Sequence, residues 1–177
     1  MPRLRVGISG WRYGPWRGTF YPEDLTQKRE LQYVSAKMNS VEINGSFYLL
    51  QRPSSYRAWY EQTGDDFVFS VKGPRYITHI RSLRDVEKPL TADFIYIRLH
   101  GAEEIYTSGY TPEALDYWAA RIRKWAKGTE PKDAARVGPP AKPRARGRDV
   151  YVYFDNDRKV RAPFDAMELA RRLSSRS

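Results

Sequence analysis

The sequence contains no cysteine, only two histidines, and no apolar run approaching the ~20 residues that a membrane span needs. The absence of Cys excludes disulfides, thiolate nucleophiles and cysteine-based zinc centres. With His79 and His100 as the only imidazoles, there is no HExxH pair on a helix. A phosphate-cradling loop is missing too, because Gly7-Ile8-Ser9-Gly10 is not followed by the Lys-Ser/Thr ending of that motif. No Gly-x-Ser-x-Gly turn supports a Ser9–His100–Asp155 triad. No cofactor and no metal are therefore expected. Met1-Pro2-Arg3 leads straight into the strand-like Leu4–Ile8, which leaves no room for a signal peptide and predicts a cytoplasmic chain with no membrane partner.

What is present is 177 residues with 41% hydrophobic side chains and a formal charge of +10. That length suffices for one sizeable core, so a single domain over 1–177 is expected. The charge is concentrated. Arg121 to Arg148 holds ten cations opposed only by Glu130 and Asp133, which leaves +2 for the rest of the chain. Within it, 128–147 is rich in Pro, Ala and Gly and lacks apolar periodicity, so it reads as a basic flexible insertion. Its functional reading is a nucleic-acid-binding arm that releases counterions from phosphates. Its simpler reading is a linker between two elements.

Five segments read as strands: 5–9, 40–44, 67–72, 94–100 and 149–155. Helical patterns occupy 28–37, 54–62, 112–127 and 163–173. In the third, Thr111 can cap, Pro112 suits the first position, Gly128 stops the helix, and Leu115, Trp118, Ala119, Ile122 and Trp125 form one stripe. Trp118 and Trp125 are thereby core residues. Strands in rotation with helices predict a parallel α/β arrangement. Within the strands, Val6 and Ile8, Val41 and Ile43, Ile95, Ile97 and Leu99, and Val150 and Val152 alternate with polar neighbours. Each strand then offers an apolar face to helices and a face that turns polar toward its carboxyl end. Gathered on one rim, those ends form the mouth of a (β/α) barrel.

Gly7–Tyr13 (GISGWRY) with Trp16–Pro22 (WRGTFYP) resembles the opening of the domain-of-unknown-function 72, or YecE-like, family. Val41–Tyr48 (VEINGSFY), Lys72–His79 (KGPRYITH), Arg98–Gly101 (RLHG) and Tyr151–Asp157 (YVYFDND) are similar to its later signatures. The resemblance implies a TIM-type barrel, distantly similar to endonuclease-IV-like and xylose-isomerase-like barrels, with hydrolase- or isomerase-like ancestry and no established activity. Such barrels rarely use fewer than ~200 residues. Around 88–93 the chain passes directly to what resembles the approach to the seventh strand, so an internal deletion of the middle strands is implied. The expected fold is an incomplete TIM-type barrel of five parallel strands, in barrel order 3-2-1-8-7, with helices on the convex face. Its two uncovered edges leave three readings: an inactive truncated remnant, a gene-model artefact, or a chain that self-associates across those edges.

On that layout Ser9, Glu42, Asn44, Lys72, Arg98, His100 and Asp155 converge near the mouth. Trp11, Tyr13, Trp16, Tyr48, Arg75, His79, Asn156 and Asp157 surround them on loops. Lys72, Arg75 and Arg98 suit a phosphate or carboxylate, which points to a small anionic ligand or nucleic acid as partner. Trp11, Tyr13 and Tyr48 can stack on a base or sugar, with Asn44, Asp155 and Asn156 as polar contacts. Glu42 or His100 can act as general base, with Lys72 tuning the neighbouring pKa. The same charges can instead neutralise one another across a polar lumen. Endonuclease-IV-like barrels hold zinc, but the available His79, His100, Glu42 and Asp155 do not make a recognisable ligand set.

Overall fold

The alternating segments form five parallel strands: β1 (Leu4–Ser9), β2 (Ser40–Ile43), β3 (Val68–Val71), β4 (Phe94–Leu99) and β5 (Asp149–Phe154). This computed structural model describes residues 2–49, 51–73, 94–102, 108–133, 143–156 and 160–175. The strand order is β3-β2-β1-β5-β4, with every neighbouring pair parallel. Among the described residues the sheet is a curled half-barrel with β3 and β4 as its two edges.

The helices are α1 (Glu30–Ser35), α2 (Gly45–Tyr48), α3 (Pro53–Glu61), α4 (Pro112–Ala126) and α5 (Ala162–Ser174). A 3₁₀ turn over Gln27–Arg29 leads into α1, and a second covers Gly14–Trp16. α2 was not expected, because four residues are too few to show a helical period. α4 begins as its sequence predicts, with the Thr111 hydroxyl accepting from the Ala114 amide at 3.2 Å and Pro112 in the first turn.

One apolar layer lies between the sheet and the helices. Val6, Ile8, Val41, Val150 and Val152 pack there with Leu31, Val34, Leu115, Ala119, Ile122 and Leu169, all buried. Trp16, Phe20 and Tyr21 extend this core over the carboxyl end of β1. Their rings meet tilted or edge-on, Trp16 to Phe20 at 5.7 Å and Phe20 to Tyr21 at 4.9 Å. Gly7 allows the close approach of β1 and β2, because a Cβ there would lie 1.9 Å from the Ser40 carbonyl oxygen.

The basic stretch is partly built into the fold. Buried Arg121 reaches Asp133 at 2.7 Å and lies over the Tyr117 ring, while Arg123 donates to the Arg172 carbonyl at 2.6 Å. Buried Arg148 donates to the Gly128 carbonyl at 2.9 Å, and the Arg144 amide donates to the same oxygen at 3.0 Å. Gly128 has φ +81°, and a Cβ on it would strike the Arg144 carbonyl. The expected 128–147 insertion thus has its two ends tied together, and its centre, 134–142, lies outside the described residues. Among the described residues no helix is long and apolar enough to cross a membrane.

Candidate functional site

All five strands deliver polar side chains to the concave face. Register places Ser9 of β1 beside Glu42 of β2, while Arg98 of β4 lies beside Tyr153 of β5. Glu42 is 2% exposed and would be an expensive charge without partners. It has three. The Ser9 hydroxyl donates to Oε2, the Tyr96 hydroxyl donates to Oε1, and Arg98 Nε donates to Oε2 at 3.2 Å. Arg98 Nη2 also reaches Ser9 Oγ at 3.3 Å and Asp155 Oδ2 at 2.8 Å. The Arg98 fork therefore ties β1, β2 and the end of β5 to β4.

Asp155 has a second neighbour. His100 Nδ1 lies 3.1 Å from the same Oδ2, close enough for an ion pair but off-line for a hydrogen bond in this conformation. The His100 side chain is 35% exposed and Asp155 only 13%, so the imidazole is the open member of the pair. Below this level, the Tyr96 and Tyr153 rings are 5.3 Å apart, and the Tyr153 hydroxyl shares a 2.7 Å hydrogen bond with Ser40 Oγ. Burial, followed by the hydrogen bond to Glu42, pushes the Tyr96 phenol above the ordinary tyrosine range. Burial raises Tyr153 as well.

Of the residues expected at the mouth, Ser9, Glu42, Arg98, Asp155 and His100 are brought together. Lys72 is not, which corrects its expected place beside Glu42. β3 ends at Val71, and the Lys72 ammonium sits 4.4 Å from the centre of the Phe47 ring on α2, where cation–π attraction holds it. Asn156 is also corrected as a ligand contact. It is fully buried, donating to the Ser108 carbonyl at 3.0 Å and to Asp165 Oδ2 at 2.8 Å, so it fastens α5 to the loop before α4.

Trp11 is buried, with its ring edge-on to Trp59 at 5.2 Å. The Tyr13 hydroxyl donates to the Ser9 carbonyl, and its ring lies 4.6 Å from Trp16. Asn44 follows β2, two residues beyond Glu42. Tyr48 is 76% exposed at the end of α2. Arg75, His79 and Asp157 lie outside the described residues. Tyr96, Ser40 and Tyr153 were missed as participants, although strand alternation already put both tyrosines on the face of Arg98.

Five parallel strands with helices on one face and a polar concave side define a sector of a TIM-type barrel. The chain belongs to the family described as protein of unknown function DUF72, whose model matches residues 5–92 and 89–177. It is 38% identical over 88 residues to UPF0759 protein YecE of Escherichia coli K12, a match covering 50% of this chain and 30% of that protein. It is 28% identical over 75 residues to UPF0759 protein YunF of Bacillus subtilis, covering 42% of this chain and 26% of that protein. The chain thus spans less than a third of the curated relatives it matches.

In three dimensions it is similar to a DUF72 family protein of Thermotoga maritima, with TM-score 0.72 and 17% identity over 98% of this chain and 100% of that one. A DUF72 family protein of Enterococcus faecalis gives TM-score 0.66 and 9% identity over 98% and 96%.

Proposed function

We propose that the concave rim binds a small phosphate-bearing ligand, with Arg98 gripping the anion and His100 transferring a proton. The observation that carries this reading is the position of Asp155, 2.8 Å from Arg98 and 3.1 Å from His100. Asp155 thus stands between the guanidinium that grips the anion and the imidazole that transfers the proton. Arg98 spends Nε and Nη2 on Glu42, Ser9 and Asp155, and Nη1 remains for a ligand oxygen. Glu42 is better suited to position than to catalyse. It is buried and accepts from three donors, so taking up a proton would break the contacts that hold Arg98. The chemistry available is proton transfer beside a bound anion, a step that hydrolases and isomerases share.

The test is calorimetric titration with inorganic phosphate and ribose 5-phosphate. Arg98→Lys keeps a cation beside Glu42 and Asp155 but loses the planar fork, so it should weaken binding at least tenfold. Lys72→Ala should leave binding intact. Equal affinity in wild type and Arg98→Lys ends this reading. The alternative, a nucleic-acid binder using 121–148, has less support because Arg121, Arg123 and Arg148 are engaged within the fold.

We also infer that the middle strands of the barrel are deleted near 88–93, and that a second copy can cover the open edges. The family model's two consecutive matches, meeting at 89–92, support the first inference. Val71 on β3 and Phe94 on β4, apolar residues 52% and 46% exposed, support the second.

A further inference from the structure

Beside the rim, at the carboxyl ends of β1 and β2, lies a cavity of about 260 Å³ that the charge cluster does not use. Trp11, Ile43 and Trp59 supply apolar walls, and Asn44, Gln51 and Arg12 supply the polar groups. The Asn44 side-chain oxygen is buried and accepts no hydrogen bond among the described residues, although buried amides are normally satisfied. Gln51 is anchored through its amide nitrogen to the Leu49 carbonyl at 2.9 Å. Arg12 is exposed.

The volume is just below the ~300 Å³ at which pockets begin to hold drug-sized ligands, which suits one ring system. A sugar would need a hydrogen-bond partner for nearly every hydroxyl, and this cavity has few. A nucleobase presents two apolar faces and a short polar edge, which matches two indoles, an isoleucine and one unsatisfied amide. Among bases, adenine suits an asparagine best, because the side-chain oxygen accepts from N6 while its NH₂ donates to N7. Asn44 is two residues beyond Glu42, roughly 6–7 Å along an extended chain. A ring in the cavity therefore has its ribose phosphate within reach of the rim.

We propose that this cavity is an adenine subsite, and that the ligand of the rim is an adenosine monophosphate-like nucleotide. The phosphate half of this statement rests on the function proposed above; the base half stands on the cavity alone. The experiment is titration of the full chain with adenosine, adenosine 5′-monophosphate and ribose 5-phosphate, followed by calorimetry and tryptophan fluorescence. The expected result is that adenosine and its monophosphate bind, and that both weaken at least tenfold in Asn44→Leu while ribose 5-phosphate does not. Asn44→Asp keeps the shape but loses the donor to N7, so it should weaken adenosine even if the leucine variant is poorly folded.

Adenosine that fails to bind, or binds equally to wild type and Asn44→Asp, overturns the subsite. If the two phosphates still bind and weaken in Arg98→Lys, the rim reading survives alone. If the monophosphate depends on Asn44 but not on Arg98, the subsite survives and the rim reading fails.

Discussion

Replacing Glu42 by Gln keeps the side-chain shape and removes one buried charge. In the wild type the carboxylate accepts from the Ser9 and Tyr96 hydroxyls and from Arg98 Nε. The amide keeps one acceptor oxygen and turns an NH₂ toward a group that also donates. Breaking a buried ion pair typically costs about 3–5 kcal/mol. Arg98 is 24% exposed and retains Asp155, which discounts that figure, whereas a hydrogen bond to a charged group is worth about 1.5–3 kcal/mol. The expected net loss is about 2–3 kcal/mol, and at about 2–4 °C per kcal/mol for a domain of this size Tm should fall by roughly 4–12 °C. Urea unfolding followed by circular dichroism measures the loss, and the urea midpoint should fall without a change in slope. Tyr96→Phe should lose less by itself. The double variant should be less destabilised than the two singles added together, because both changes break the same contact. A Glu42→Gln protein within about 0.5 kcal/mol of wild type, a change typical of featureless surface sites, would refute the claim that this carboxylate organises the concave face.

Three further outcomes follow from the same geometry. Gly7→Ala should cost about 1–3 kcal/mol or more, because its Cβ would sit 1.9 Å from the Ser40 carbonyl and force β1 and β2 apart; an unchanged melting temperature contradicts this. At high pH, Tyr96, Tyr153 and Tyr110 are held neutral by burial, so their contribution to stability is complete below pH 10, the ordinary tyrosine value, and declines as pH rises beyond it. Tyrosinate absorbance from these residues should then appear together with unfolding, and smooth titration of every tyrosine near pH 10 in folded protein would count against it. Light scattering should detect self-association that Val71→Lys and Phe94→Lys suppress, since edge lysines block strand pairing; a monomer at every concentration removes the second copy.

The sequence by itself determined the strands, most of the helices and the burial of their apolar faces, because these depend on local period and capping. Val6 and Ile8 or Leu115 and Ile122 carry their side in their spacing, and the Thr111 cap needs no distant partner. The rim charges on Glu42, Arg98 and Asp155 were legible for the same reason, since alternation assigns a face. Tertiary structure alone decided what those charges do. Whether Glu42 is a base or a buried acceptor depends on Ser9 and Tyr96, 33 and 54 residues away in the chain. Lys72 was drawn from the rim to Phe47, and Asn156 turned inward to Asp165, because attraction acts over a few ångströms of space whatever the distance along the chain. The cavity beside the rim likewise forms where the ends of β1 and β2 meet α3.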